Sequence, residues 1–331
     1  MREKNKKKTY LIIVQIIGIL LLAAAGAGLY FHLAGRQKAQ VPEDFRISQN
    51  LNTEITYNGK KYKYNSNLKN ILFMGVDTKE EVTLKDTPGI AGQADCIMIL
   101  SMDRESGETR ILQISRDSMT DVDLYDINGN YYTSVYAQIA TQYAYGNGKE
   151  SSCWAMKKTV SELLHDLPID AYISVNIDAI HIINDAVGGV TLTIPEDYTS
   201  IDPAFVKGET ITLTGEQAEK YVRSRDTNER GSNNGRMRRQ VQYIPELLRT
   251  VKQQMGISGD YYDRFYPLLS PYLVTDLSGD QINELAEYDL NEEEILYVPG
   301  EIQDGEKYEE YHVDEQALEE LLISTFYQVS E

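Results

Sequence analysis

The sequence predicts an α/β fold: a three-layer α-β-α sandwich around a central mixed sheet, preceded by one transmembrane helix. Three observations predict it. Short apolar runs that read as buried strands alternate with stretches of helical periodicity, which is the pattern of a layered α/β sheet. A basic tail and one long apolar run open the chain, the pattern of a membrane anchor. The composition is ordinary for a globular protein, with 331 residues, 42% hydrophobic and 25% charged, enough for one large domain or two smaller ones.

The N-terminal segment sets the topology. Arg2, Lys4, Lys6, Lys7 and Lys8 make residues 1–10 a basic tail. Residues 11–33 are apolar apart from Gln15 and His32, long enough for a span of about 20 residues. A cleaved signal peptide has a shorter apolar region, about 7–15 residues, ending in a small-residue site. Ala23-Ala24-Ala25 resembles such a site, but apolar residues continue past it. The reading is therefore an uncleaved single-pass anchor in the cell membrane, its N-terminus cytoplasmic and everything after Arg36 extracytoplasmic. Residues 34–68 read as a polar tether, with a short strand at 54–57 or 61–64. Residues 69–331 read as one folded domain, without a Pro- or Ser-rich linker or an internal repeat.

That domain opens on NILFMGVD (70–77), a buried strand with Asp77 just past its end, where open α/β sheets place ligands. A loop with Pro88, Gly89 and Gly92 leads to ADCIMILSMD (94–103), a second strand starting at Asp95. A turn at 104–107 joins it to a third, 109–114, which runs into Ser115-Arg116-Asp117. Three strands thus each carry Asp or Arg-Asp at one end. Carboxylates are rarely buried without partners. Beyond lie expected helices at 134–145 and 151–165, a strand at 171–176, a helix at 178–187, a Gly188-Gly189 turn and a strand at 190–194. The C-terminal part reads as a Tyr-rich segment after Met255, a helix at 278–288, a strand at 294–298 and a helix at 314–327.

The densest chemistry lies in YVRSRDTNERGSNNGRMRRQ (221–240). Six of the fourteen arginines stand here, at 223, 225, 230, 236, 238 and 239, in a chain of net charge −19. The arginine fork matches phosphate oxygens two at a time, so the cluster reads as an anion site. The alternative is a solvated helix face paired with Asp226 and Glu229. Thr214, with Gln217 three residues on, caps a short helix before the cluster. A second helix begins near Gly235, where Arg236, Arg239 and Gln240 share a face at i, i+3 and i+4 and Arg238 points elsewhere. Carboxylates can hold Mg2+, and Mg2+ with arginine can hold a diphosphate.

Other chemistries lose ground. Asp and Glu outnumber Lys and Arg by 51 to 32, a poor balance for nucleic acid. His32, His165, His181 and His312 are scattered, without metal-ligand spacing. Ser115 and Ser224 sit beside arginines, not in a hydrolase GxSxG turn. Cys96 and Cys153 are a candidate disulfide outside the cytoplasm, with Cys96 as a small buried hydrophobe the other reading. The 24 tyrosines serve packing and a sugar- or lipid-facing surface.

Taken in order, NILFMGVD, ADCIMILSMD, RILQISRDS (110–118), the run 169–195 containing VGGVTL, LTGEQAEKYVRSRD (213–226) and GRMRRQ (235–240) resemble the LytR-CpsA-Psr family of bacterial cell-wall enzymes. The likeness covers about 70–251, and YVPGE (297–301) with YHVDEQALEELL (311–322) is similar to the family's ending. It implies a phosphotransferase that moves a glycopolymer, such as teichoic acid or capsule polysaccharide, from a polyprenyl diphosphate carrier to peptidoglycan, with diphosphatase activity when water is the acceptor. It further implies Mg2+ or Mn2+ at Asp77 and Asp95, catalytic roles for Asp95, Arg116, Arg223 and Arg225, diphosphate contacts from Arg223, Arg225, Arg236, Arg239 and Gln240, and a long apolar pocket for the lipid. Asp117 has the lesser claim to a direct role. The family usually has Arg two residues before the second Asp. Gln93 stands there, and Arg230 is the candidate to replace the lost contact. No Lys occurs at 131–134, where the family often carries one near the site. A non-catalytic binder or regulator of polyprenyl-phosphate lipids or anionic wall polymers is the alternative. Retention of both Asp77 and Asp95 favours the enzyme.

Overall fold

The computed structural model describes residues 54–126, 128–226, 229–255 and 261–330. The expected tail, membrane span and most of the tether lie outside the described residues. Among the described residues no helix is long and apolar enough to cross a membrane.

The chain begins with β1 (Glu54–Tyr57) and β2 (Lys60–Tyr64), a hairpin. Both strands expected as alternatives therefore form. Three long strands follow: β3 (Leu68–Val76), β4 (Ala94–Asp103) and β5 (Glu108–Ile114). A separate ribbon, β6 (Met119–Tyr125) with β7 (Tyr131–Gln138), leads into a 3-10 helix, Ile139–Tyr145. Then come α1 (Glu150–Leu163), β8 (Ala171–Asn176), α2 (Ala179–Ala186), and the short pair β9 (Thr191–Thr193) and β10 (Thr210–Thr212). Helix α3 (Gly215–Arg223) precedes the long α4 (Ser232–Met255) and α5 (Tyr261–Leu269). The remainder is β11 (Leu273–Thr275), α6 (Gly279–Leu285), β12 (Asp289–Tyr297), the hairpin β13 (Gly300–Asp304) and β14 (Glu309–Val313), α7 (Glu315–Phe326) and β15 (Tyr327–Val329).

Six strands form the central mixed sheet in the order β11-β8-β3-β4-β5-β12. Strand β3 runs parallel to β8 and antiparallel to β4, and β5 runs antiparallel to β4 and parallel to β12. The C-terminal ends of β3 and β5 and the N-terminal end of β4 therefore meet at one edge: Val76 pairs with Ala94, and Ile97 with Ile114. That edge gathers Asp77, Asp95 and Arg116.

Period-2 alternation splits the strand residues between two faces. Leu72, Met74, Ile97, Ile99, Leu112 and Ile114 point into a core with Met156 and Val160 of α1 and Leu318 and Phe326 of α7. Cys96, Met98 and Ile111 point the other way, against Val241 of α4, and Ile71 and Met102 pack with Ile282 and Leu285 of α6. Helices thus cover each face of the sheet.

The same alternation separates the cysteines. Cys96 faces α4, whereas Cys153 lies on α1 in the opposite core, and both thiols are free and buried. The candidate disulfide is not formed, because the sheet stands between the two side chains. Burial pushes the Cys96 thiol up to about 12.

The expected helix at 134–145 is half strand. Val135, Ala137 and Ile139 alternate, and the segment continues β7 before closing into the 3-10 helix that buries Ile139 and Tyr143. The partner strand β6 did not register in the sequence, because its Asp121 and Asp123 break the apolar pattern. At the N-terminal end, β1 and β2 are completed by β15, so the chain's last strand ties down its first described ones.

Candidate functional site

Asp95 is the centre of the site. Its Oδ1 accepts from Arg116 Nη1, and its Oδ2 accepts from Arg236 Nη1 at 3.0 Å. Two guanidinium groups from distant parts of the chain thus converge on one carboxylate. Arg116 also donates through Nη2 to Gln93 Oε1, and its Nε lies 3.4 Å from Asp117 Oδ1 without hydrogen-bond geometry. Arg236 donates to Asn233 Oδ1 at 2.8 Å, one helical turn earlier on α4. Asn233 in turn donates to Ser115 Oγ at 3.2 Å, which links α4 to the end of β5.

The cluster carries more charge than it compensates. Arg236 is only 2% exposed. Burial lowers its pKa, Asp95 opposes that, and Arg116 and Arg225 add to it. The Nε atoms of both Arg116 and Arg236 are buried without a hydrogen-bond partner. Buried donors of this kind are rare and costly. Asp117 is also buried. Burial raises its carboxyl above the usual range, while Arg116, Arg225 and Arg236 pull it down. Gln138 Nε2 at the foot of the β6–β7 ribbon donates to it at 3.1 Å.

Asp77 is held nearby by the loop that returns to β4. Its Oδ1 accepts the Gln93 N–H at 2.7 Å, and its own N–H donates to the Gln93 carbonyl at 3.0 Å. Gly92 makes this approach feasible. Its φ is +88°, and a Cβ there would stand 2.5 Å from Thr78 Oγ1 and 2.9 Å from Asp77 Oδ1, so a side chain would drive the loop off Asp77. Gln93 therefore does two things where the family pattern has Arg: its backbone fixes Asp77 and its side chain orients Arg116.

The other sequence-predicted residues divide. Arg223 lines the cavity described below and donates to Glu219 Oε1 at 3.0 Å; Glu219 also takes His181 Nε2. Arg225 is exposed and close enough for its charge to act on Asp117 and Arg236. Arg239 and Gln240 do something the sequence did not indicate. Arg239 donates to the Tyr221 carbonyl at 2.7 Å and to the Ser224 carbonyl, and its guanidinium lies 4.9 Å from the Tyr198 ring centroid. Gln240 donates to the Val222 carbonyl at 3.1 Å. These are the orphan carbonyls at the C-terminus of α3. The pair clamps the segment that carries Arg223 and Arg225 instead of offering its donors to a ligand. Arg230 is not at the site: it donates to the Ile302 carbonyl and lies 3.6 Å from Asp304. It cannot replace the contact absent at Gln93. Arg238 is exposed, 4.0 Å from Glu196.

Asn233, Ser115, Gln138 and Glu309 were not singled out in the sequence. Glu309 accepts the Gly231 N–H at 2.8 Å, and its carbonyl accepts from Gln138. Only Asn233 carries a signal: it stands three residues before Arg236 on a helix, the spacing of facing side chains.

A cavity of about 580 Å3 opens beside the cluster. Its walls are apolar, from Phe73, Leu100 and Ile173 of the sheet, Ile180 and Ile183 of α2, Ile244, Leu247 and Leu248 of α4, and Phe265 of α5. Pro245 also lines it. Without an N–H, Pro245 leaves the carbonyl one turn earlier without its helical donor. At one end the lining turns polar, with Asp95, Arg223, Arg236 and Gln240. An apolar slot ending in the buried Arg236 and the exposed Arg223 suits an amphiphile with an anionic head.

The LytR_cpsA_psr family model matches residues 29–325. The chain belongs to the LytR_cpsA_psr family. Among related proteins, the polyisoprenyl-teichoic acid–peptidoglycan teichoic acid transferase TagU of Bacillus subtilis strain 168 is 29% identical over 248 residues, covering 75% of this chain and 71% of that protein. The Enterococcus faecalis protein of the same name is 27% identical over 320 residues, 94% of each chain. Among solved structures, protein gbs0355 of Streptococcus agalactiae matches with a TM-score of 0.61 at 24% identity, covering 77% of this chain and 86% of that one. TagV of B. subtilis matches at 0.59 and 23%, covering 78% and 96%. The mixed sheet with its helices is thus shared with those structures.

The carboxylates at this edge bear on metal binding. Among the described residues no group of three or more His, Cys, Asp or Glu side chains could hold an ion. Both oxygens of Asp95 already accept from arginine. Mg2+ commonly takes only one or two carboxylates, with phosphate oxygens and water completing its shell, so Asp77 and Asp95 are the candidates for it at this edge. They do not make a closed, all-protein metal centre.

Proposed function

We propose that this protein is a membrane-anchored, extracytoplasmic phosphotransferase that moves a wall glycopolymer from a polyprenyl diphosphate carrier to peptidoglycan. One observation carries the reading: Asp95 and Arg236, tied to Arg116 through the Asp95 carboxylate, line the polar end of an apolar cavity. The TagU relatives support it, since they are polyisoprenyl-teichoic acid–peptidoglycan teichoic acid transferases.

The lipid tail occupies the cavity and the diphosphate lies against the arginines. An acceptor hydroxyl attacks the phosphorus that bears the sugar, and its proton passes to the departing lipid phosphate or to solvent. The bond from that phosphorus to the bridging oxygen breaks, and lipid monophosphate leaves with the negative charge. Arg116, Arg236 and Arg225 stabilise that charge as it develops, which lowers the barrier more than it stabilises bound substrate. Asp95 keeps the two buried guanidinium groups in register. Asp77 and Asp95 would hold Mg2+, which would supply further neutralisation of the phosphate charge. Water reaching the same phosphorus gives the diphosphatase side reaction.

The full chain in detergent, given a polyprenyl diphosphate-linked polymer and peptidoglycan, should produce lipid monophosphate and peptidoglycan-bound polymer in equal amounts. Donor that binds tightly but yields neither product, with intact peptidoglycan and Mg2+ present, would point to the non-catalytic binder.

A further inference from the structure

We propose that the β6–β7 ribbon is the surface on which this protein holds the glycan of its acceptor, with Tyr132 and Tyr136 as the stacking platforms. Its role as an acceptor surface rests on the transferase reading above.

Tyr132 is 77% exposed and Tyr136 61% exposed, with Tyr131 and Val135 between and beside them also exposed. Exposed aromatic clusters of this kind mark binding surfaces more often than they occur by accident. Tyr132 is the bulged residue of β7, since Leu124 pairs with Thr133 and Tyr125 with Tyr131, so its ring stands free at the start of the ribbon with the Tyr136 ring four residues on. The face is rigid. Ser134 Oγ donates to Asp123 Oδ1 at 2.7 Å, and Asp123 is buried against Lys158 of α1. Asp121 pairs with Tyr136 across the ribbon and is exposed, so an acceptor for sugar hydroxyls stands beside a ring.

Charge selects the occupant. Residues 119–138 contain Asp121, Asp123 and Asp126 and no Lys, Arg or His. Lys158 beneath the face is neutralised by Asp123 and, at 3.5 Å, by Glu162. A phosphate-bearing polymer or an anionic bilayer would be repelled here, whereas neutral sugar rings meet aromatic faces and hydrogen-bond acceptors. The ribbon is also continuous with the site. Strand β6 follows directly from Arg116 and Asp117, and Gln138 at the end of β7 bonds to Asp117. A glycan lying along β7 toward its C-terminal end arrives at the arginine cluster.

The test uses the full chain in detergent and a hexamer of β-1,4-linked N-acetylglucosamine, an uncharged probe, with binding followed by NMR or calorimetry. Tyr132→Ala/Tyr136→Ala should weaken hexamer binding about tenfold while leaving the affinity for a polyprenyl diphosphate donor and the thermal midpoint unchanged. Tyr132→Phe/Tyr136→Phe should restore it, since stacking needs the ring and not the hydroxyl. Equal binding by wild type and the Ala variant, or no binding by wild type, overturns the proposal. So does a variant whose lost partner is an anionic vesicle instead of the hexamer. If the full chain turns over no donor but the Ala variant still loses the hexamer, the transferase reading falls and the glycan surface stands.

Discussion

At the scale of single residues, the site is a balance of buried charge. Arg236 is buried against one carboxylate, and Asp117 is buried beside three arginines whose pull does not fully offset the loss of water. The sign for Asp117 follows directly. Its folded pKa is raised above the ordinary 3.8, so its contribution to stability is fully present below that value and is lost as pH rises through the folded value. Asp117→Asn should therefore melt above wild type at pH 7, and the difference should close as pH falls toward 3. Melting curves across that range check it; two parallel curves would contradict it. Residue identity was largely legible in the sequence. Asp77, Asp95 and Arg116 stand where strand ends place them, and the structure brings Arg236 to the same point. Gln93 was legible only as a departure. Its use became clear once its side chain was seen to hold Arg116 and its backbone to hold Asp77.

At the scale of elements, the informative case is the contact between α3 and α4. The spacing of Arg236, Arg239 and Gln240 placed them on one face, but a shared face does not say what the face meets. Arg236 meets Asp95; Arg239 and Gln240 meet the end of a neighbouring helix. Sequence periodicity carries no information on that choice, because both partners are anionic or acceptor groups. The structure makes the two roles separable without substrate. Gln240→Ala should destabilise the unliganded protein by about 1–2 kcal/mol, the cost of a buried carbonyl left without its donor. Arg239→Lys should cost at least as much, since Lys lacks the fork that reaches Tyr221 and Ser224 together. Chemical denaturation reads both; midpoints unchanged from wild type would mean that the side chains serve only a ligand. Where element assignment failed, at 134–145, one strand and one 3-10 helix followed each other without punctuation. The strongest local signal held: Thr214 and Gln217 form a capping box at the start of α3, as their spacing predicted.

At the scale of the whole molecule, the sheet both gathers and separates. It gathers Asp77, Asp95 and Arg116 at one edge through strand direction alone, and it separates Cys96 from Cys153 by placing them on opposite faces. Reductant should therefore leave the thermal midpoint unchanged, and Cys153→Ser should destabilise the protein through packing in either redox condition; a midpoint that drops on reduction would contradict the free thiols. The layered α/β class was legible because alternation of strand and helix signals survives errors in individual elements. The ribbon β6–β7 and the pairing of β15 with β2 were not, since they depend on contacts between distant segments. The most direct measurement of the central claim is single-turnover release of lipid monophosphate from a polyprenyl diphosphate-linked polymer by Arg236→Lys. The substitution keeps the charge but removes the second N–H that docks on Asn233. The account predicts donor affinity within a few fold of wild type and release slowed about 100-fold or more. Release at the wild-type rate by a folded Arg236→Lys protein would show that the Arg116–Asp95–Arg236 cluster does not carry the transfer.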